Sequence, residues 1–252
     1  MKKPVEEICR VVAGTVLAVG LAANAVAAEM TVSAAASLTD AFGEIKTLFE
    51  KAHPGLHVNT NFAASNPLLK QLEEGAPTDV FASADQQTMD KAVAAKVVDP
   101  ATRRNFAVND LVLIVPKGAK KPANLADLKA MKRIAIGNPD SVPAGRYTRD
   151  ALTAAGLWEA LLPEYVQAAS VRQALTYVAR GEADAGFVYR TDALQMGDKV
   201  EIALVVGDHE PVLYPIAVAT TGANPKAGQE FIDFVLSPEG QRVLARYGFS
   251  RP

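Results

Sequence analysis

Thr31-Val32-Ser33-Ala34-Ala35-Ala36-Ser37-Leu38-Thr39-Asp40-Ala41-Phe42 governs how the rest of the chain is read. Its first half, small and β-branched, is a strand; Leu38, Phe42, Ile45 and Phe49 then repeat at helical spacing. Ser37 stands where strand gives way to helix, in the N-cap position, with Asp40 three residues on in the place of a capping box. A helix start presents unpaired backbone N–H groups and the positive end of a dipole, so it can hold an anion. A single such start does no more than cap.

Outward from this stretch the pattern recurs. Strands are expected at 30–35, 56–61 and 79–82, with helices over 38–52, from the Ser65-Asn66-Pro67 stretch through Leu68, Leu69 and Leu72 to an end near Gly75, and over 86–96. A second alternating set follows the apolar strand 111–116: a short helix at 125–131, strand 133–137, a helix with Pro143 in its first turn, and strand 165–168. Ser170-Val171-Arg172-Gln173 is another capping box, opening a helix with Ala174, Leu175 and Val178 that closes at Gly181. Strands at 185–189, 202–206 and 212–219 and helices around 231–236 and 241–247 complete the chain. This βαβα order implies an α/β fold with mostly parallel sheets covered on both faces, and ligands beyond the carboxyl ends of the strands. Two sets joined by two extended segments suggest two lobes with a cleft, although a single continuous sheet fits the same pattern. The expected division is 29–110 with 216–252 as one lobe and 111–215 as the other, with crossings near 110 and 215 as hinges.

The chain of 252 residues begins with Lys2, Lys3 and Arg10, an apolar run over 11–21, and a small-residue stretch ending Ala25-Val26-Ala27-Ala28. These are the parts of a secretory signal peptide, expected at 1–28, so the mature protein is expected outside the cytoplasm, in an oxidising compartment. The single cysteine, Cys9, precedes the apolar run, whereas a lipid-anchor cysteine would follow it. The mature chain then holds no cysteine, which excludes disulfide and thiolate chemistry. Three basic and two acidic side chains leave with the signal, so a net charge of −2 becomes −3. No basic field exists to attract nucleic acid or an anionic membrane. At 49% hydrophobic and 21% charged residues, the chain can bury a real core.

Four helix starts follow strands, at Ser37, Ser65, Ala144 and Val171, two from each expected lobe, and Tyr189 ends a strand beside them. Lobe closure would gather neutral donors: hydroxyls of Ser37, Ser65 and Tyr189, and backbone N–H groups at the four starts. A tetrahedral oxyanion wants many donors around it. Each hydrogen bond to a charged group is worth on the order of 1.5–3 kcal/mol, so several suffice for about micromolar or tighter binding. Arg146 and Arg172 are the only cations in these loops, and a donor-rich site lacking a carboxylate favours a fully deprotonated anion over phosphate, which keeps a proton near neutral pH. Asp40 and Asp140 lie nearby.

Other residues have plainer readings. His53, His57 and His209 could ligate a metal, but Pro54-Gly55 breaks the helical relation of the first two, and surface positions are expected. Asp79, Asp85, Asp184 and Asp192 could form acid–base pairs; strand ends and helix starts favour capping or turn roles. Ser37 lacks the G-x-S-x-G elbow of a hydrolase nucleophile and has no evident histidine partner. Arg146 and Arg172 are expected as solvated helix charges, able to speed anion capture.

The segments A-A-A-S-L-T-D-A (34–41), F-A-A-S (62–65), E-G-A-P-T-D-V-F-A-S-A-D (74–85), V-P-A-G-R-Y (142–147), V-R-Q-A-L (171–175), G-F-V-Y (186–189) and R-Y-G-F (246–249) resemble, in order, the periplasmic molybdate-binding proteins of molybdate ABC transporters. The resemblance spans the mature chain. It implies the two-lobed periplasmic-binding-protein fold, with molybdate or tungstate held between the lobes without counter-charges. Ser37 and Ser65 would supply hydroxyl and backbone donors, Ala144 and Val171 backbone N–H groups, and Tyr189 its phenol. It further implies a monomer with no cofactor beyond its cargo, delivering that cargo to an inner-membrane permease driven by a cytoplasmic ATPase. Asn66-Pro67 departs from the family's usual small residues after Ser65; Pro67 is taken as a first-turn proline. A sulfate or other oxyanion carrier is the alternative within the same fold, and an extracytoplasmic hydrolase the alternative outside it.

Overall fold

The computed structural model describes residues 28–252. The expected signal peptide, apart from its last residue, lies outside them. In chain order, β1 (Ala28–Ala35) passes through one 3-10 turn (Ala36–Leu38) into α1 (Thr39–Ala52), β2 (Leu56–Ala63) leads into α2 (Ser65–Glu73), and β3 (Val80–Ala82) into α3 (Gln86–Ala94). β1 pairs in parallel with both β2 and β3. Its Val32 and Ala34 are fully buried, as a strand with helices on either side requires.

β4 (Arg104–Asn109) is a strand that the sequence pattern does not announce, because polar Arg104, Asn105 and Asn109 leave only Phe106 and Ala107 as an apolar signal. It is an edge strand, paired with β10 (Val212–Val218), which inserts antiparallel between β3 and β4 to give the order β2-β1-β3-β10-β4. The second sheet holds β5 (Leu111–Pro116), β6 (Ile134–Gly137), β7 (Tyr165–Ala168), β8 (Ala185–Tyr189) and β9 (Val200–Val206), ordered β7-β6-β8-β5-β9. In each sheet one strand, β10 or β5, opposes the other four. The fold is thus two-lobed and mostly parallel.

In the second sheet, β6, β7 and β8 lead to α4 (Pro143–Ala154), α5 (Val171–Ala179) and α6 (Arg190–Gln195). After β10, α7 (Pro225–Leu236) and α8 (Pro238–Arg246) pack against the first sheet and α1. Phe49 of α1 meets Phe231 and Phe234 of α7 edge-on at centroid separations of 5.2 and 5.7 Å. The chain moves between sheets twice, with only Asp110 between β4 and β5, and through residues 207–211 between β9 and β10.

One local expectation fails. Ser37 does not cap α1: it lies inside the 3-10 turn, Leu38 takes the N-cap position, and no side chain accepts there. The extra turn lifts the Ser37 hydroxyl off the helix axis, and it pairs with the Tyr214 hydroxyl at 2.9 Å. Asp40, freed from a capping box, reaches across to Arg172. Ser170, by contrast, caps α5 as expected, accepting the Gln173 N–H at 3.2 Å.

Candidate functional site

Ser37, Ser65, Ala144, Val171 and Tyr189 all border one small cavity between the two sheets. Alanines 36, 64 and 84 and Val142 fill the wall between them, and about 10 Å³ is left for the centre of a water-sized sphere. By that measure one water needs about 10–15 Å³, so the space is of a single water's size and admits no sugar or amino acid. All five residues are at most 3% exposed.

Backbone donors come from the helix starts. Ser65 is the first residue of α2, Ala144 follows Pro143 at the start of α4, and Val171 is the first residue of α5. N–H groups at such positions have no carbonyl one turn back to bond. Pro67 sits within the first turn of a regular α2, and Leu68 N–H bonds Ala64 O at 3.2 Å, so the helix start keeps its form. Of the side chains, Ser65 Oγ accepts the Ala84 N–H at 3.1 Å, which commits a lone pair and leaves the serine proton to be donated. The Tyr189 hydroxyl is buried with no hydrogen-bond partner among the described residues. Burial pushes its pKa well above the ordinary 10, so it stays protonated, a donor without an acceptor. Such a group is unstable unless something fills the cavity to receive it.

Arg146 and Arg172 are not free helix charges, contrary to the sequence expectation: each pairs with an aspartate of the other lobe, Arg146 buried and Arg172 partly exposed. The Arg146 side chain is 10% exposed; its Nε donates to Asp85 Oδ2 at 3.0 Å and its Nη2 to the same carboxylate and to Thr88 Oγ1. Arg172 Nη2 donates to Asp40 Oδ2 at 2.6 Å, and its Nε lies 2.5 Å from Asp192 Oδ1, close enough for an ion pair though not aligned as a hydrogen bond. Helix-surface position alone cannot separate a charge facing water from one facing the other lobe. Both helices begin at the interface between the sheets, and both arginines cross it. Neither lines the cavity, whose donors are neutral.

The aspartates divide. Asp85 caps α3 through the Thr88 N–H at 3.0 Å, the expected role, whereas Asp79 and Asp184 tie down remote backbone, accepting the N–H groups of Thr31 and Asn224 and of Lys132 and Arg133. Asp192 departs from that expectation: it is fully buried against Arg172, and burial raises its carboxyl to about 6 in spite of the guanidinium. His53 bonds Phe49 O, His57 pairs with Glu50, and His209 bonds Val206 O and Glu210 O. No group of three His, Cys, Asp or Glu side chains among the described residues is placed to hold a metal. A larger cleft of about 440 Å³ borders the Arg146–Asp85 pair, and its further carboxylates, Asp150 and Glu210, suit an anion poorly.

Sequence reasoning missed three groups around the cavity. Asn66 joins the lobes by donating to Asp140 O at 2.8 Å, and Tyr214 and Asn109 stand behind Ser37. Tyr214 and Asn109 come together only through the register of β10 against β4, which no local pattern records.

Residues 30–250 match the bacterial extracellular solute-binding proteins. The molybdate-binding protein ModA of Escherichia coli is 41% identical over 248 residues, spanning 94% of this chain and 96% of that one. The periplasmic molybdate-binding protein of Azotobacter vinelandii superposes with a TM-score of 0.76 at 26% identity, covering 88% of this chain and 99% of the other. The sulfate-binding protein SubI of Mycobacterium tuberculosis superposes at 0.77 with 18% identity, covering 89% and 87%, a likeness of fold alone. The two-sheet architecture, the match over nearly the whole described chain and these relatives agree: the chain belongs to the family of bacterial extracellular solute-binding proteins.

Proposed function

We propose that this protein captures molybdate, and tungstate with it, in the cavity between its lobes and delivers the ion to an inner-membrane ABC permease. The observation that carries the reading is the buried Tyr189 hydroxyl, unpartnered among the described residues, on a small cavity where three helix starts and the 3-10 turn of Ser37 converge. Ser37 and Ser65 donate hydroxyl and backbone protons, Ala144 and Val171 backbone N–H groups, and Tyr189 its phenol. Helix dipoles and N–H groups spread the compensation of charge, where a fixed cation would have to be desolvated and would hold the ion too firmly to release. The 41% identity to a molybdate-binding protein supports the choice of ion.

The lobes run 29–110 with 212–252, and 111–206, rather than dividing at 215, because β10 pairs along its length within the first sheet, and the hinges are Asp110 and the segment 207–211. Closure buries the ion and forms the surface that the permease reads. The protein acts in the periplasm as a monomer, after removal of the signal peptide, with no cofactor and no catalytic step. Ser37 Oγ pairs with a tyrosine rather than a histidine, which disfavours a hydrolase. Sulfate carriage is the second reading, since the sulfate-binding neighbour has the same fold.

Calorimetric titration of the mature, ligand-stripped chain with molybdate, tungstate, sulfate and phosphate at neutral pH decides. Tight one-to-one binding of the first two with weak or silent sulfate and phosphate is expected. Sulfate preference would keep the mechanism and change the cargo; silence toward all four would overturn the reading.

A further inference from the structure

We propose that Asn109 and Tyr214 are positioning residues for the bound anion: a directed hydrogen-bond chain from the lobe crossing fixes the Ser37 hydroxyl as a donor into the cavity. The inference rests on the oxyanion reading given above. Its direction follows from one contact. Asn109, the last residue of β4, accepts the Asp110 backbone N–H on Oδ1 at 3.0 Å, which settles the orientation of the amide.

Asn109 Nδ2 therefore faces the other way and donates to Thr191 Oγ1 at 2.8 Å and to Tyr214 Oη at 3.3 Å. An amide nitrogen has no lone pair to offer, so Tyr214 cannot give its proton back. The other partner of the fully buried Tyr214 hydroxyl is Ser37 Oγ at 2.9 Å, and the phenolic proton goes there. Ser37 then keeps its own proton for the cavity. Ser65 reaches the same state by a shorter route, through the Ala84 N–H. Both hydroxyls accept from behind and donate forward, the polarity that a fully deprotonated oxyanion needs. An acceptor in place of the Asn109 amide would reverse the chain: Tyr214 would donate to it, Ser37 would donate to Tyr214, and a lone pair would face the anion. Thr191 belongs to α6 on the second sheet, so the same amide also ties the two lobes beside the crossing.

The test is a calorimetric cycle with molybdate on wild type, Asn109→Asp, Tyr214→Phe and the double variant, each first checked for folding by thermal melting. Asn109→Asp presents only acceptors and is expected to weaken binding about 10- to 100-fold, the range of one charged hydrogen bond. Tyr214→Phe is expected to lose only a few-fold, because Ser37 keeps its proton and loses its alignment. The double variant is expected to bind about tenfold or more better than Asn109→Asp, since without the phenol there is nothing to reverse. A double variant as weak as Asn109→Asp, or weaker, means that the aspartate acts by charge or by disrupting the fold, and overturns the relay. If Asn109→Asp does not fold, neutron diffraction from deuterium-exchanged wild-type crystals reads the same point. A Tyr214 deuteron lying toward Ser37 Oγ is expected, and one lying toward Asn109 overturns the relay. Wild type silent toward every oxyanion would instead overturn the reading on which the relay rests, so the two failures are told apart.

Discussion

The Tyr189 hydroxyl is buried without a partner among the described residues, and a group of that kind works against folding while it serves a ligand. Tyr189→Phe is therefore expected to weaken oxyanion binding by roughly 1.5–3 kcal/mol and to leave the melting temperature of the ligand-free protein equal or higher. Unchanged affinity would take Tyr189 off the list of donors. Val171 is the backbone counterpart. Its preceding residue, Ser170, is already extended at φ −156° and ψ 164°, the conformation that a following proline demands. Val171→Pro should fold, remove one N–H at a first-turn position where proline is tolerated, and weaken binding by about the same amount; calorimetry showing full affinity would sink the backbone-donor account of the second lobe. Asp192 carries a pH signature. Its carboxyl rises from 3.8 to about 6, so the folded state holds the proton more tightly, and its contribution to stability is full below pH 3.8 and lost as pH rises through about 6. The melting temperature of wild type minus that of Asp192→Asn should fall across that window, and a flat difference would mean the carboxylate stays ionised beside Arg172. Residue chemistry was legible in sequence where it is local, as at Val171 after its cap. It was not legible where a partner is remote, as with Ser37 and Tyr214, 177 positions apart.

At the scale of elements, the convergence on the cavity is the work of helix starts, and the closeness of each start to its strand sets the geometry. α4 shows this most tightly. A Cβ on Gly145 would fall 2.0 Å from Gly137 O at the end of β6, so only glycine lets the α4 start lie against the strand that delivers it. Gly145→Ala must push that start away, and Ala144 with it. A loss of about 1–3 kcal/mol in stability is expected from overpacking, with weaker oxyanion binding alongside, read by denaturant melts and calorimetry. A variant of normal affinity would show that the Ala144 N–H needs no such placement. Apart from the six-residue α6 (Arg190–Gln195), which the pattern does not announce, the strands and helices were legible because apolar runs such as Leu111–Pro116 and capped helices such as Val171–Ala179 carry their own boundaries. β4 was not, because an edge strand with polar Arg104, Asn105 and Asn109 is defined by its pairing with β10 rather than by its own pattern.

At the scale of the whole molecule, the two arginines misread as surface charges join the lobes on either side of the site. Arg146 to Asp85 is almost wholly buried, with side chains 10% and 5% exposed, whereas Arg172 to Asp40 is open at 23% and 38%. In an opened protein all four charges regain water, so each pair favours closure only by what it gains when closed. The exposed pair gains little, about 0–1 kcal/mol, and Arg172 keeps Asp192 beside it. Loss of Asp85 is different: Asp85→Asn can still cap α3, but it leaves a guanidinium buried without its counter-charge in the closed form, while the open form lets it solvate. Affinity scales with the fraction of molecules able to close. Asp40→Asn should thus lower molybdate affinity less than about fivefold, and Asp85→Asn by roughly ten- to a hundredfold. Small-angle scattering should find the ligand-free Asp85→Asn protein more extended than wild type, with the difference shrinking at saturating molybdate. Equal losses for the two variants, or identical scattering from both ligand-free proteins, would mean that the buried pair holds the α3 cap and not the closed state.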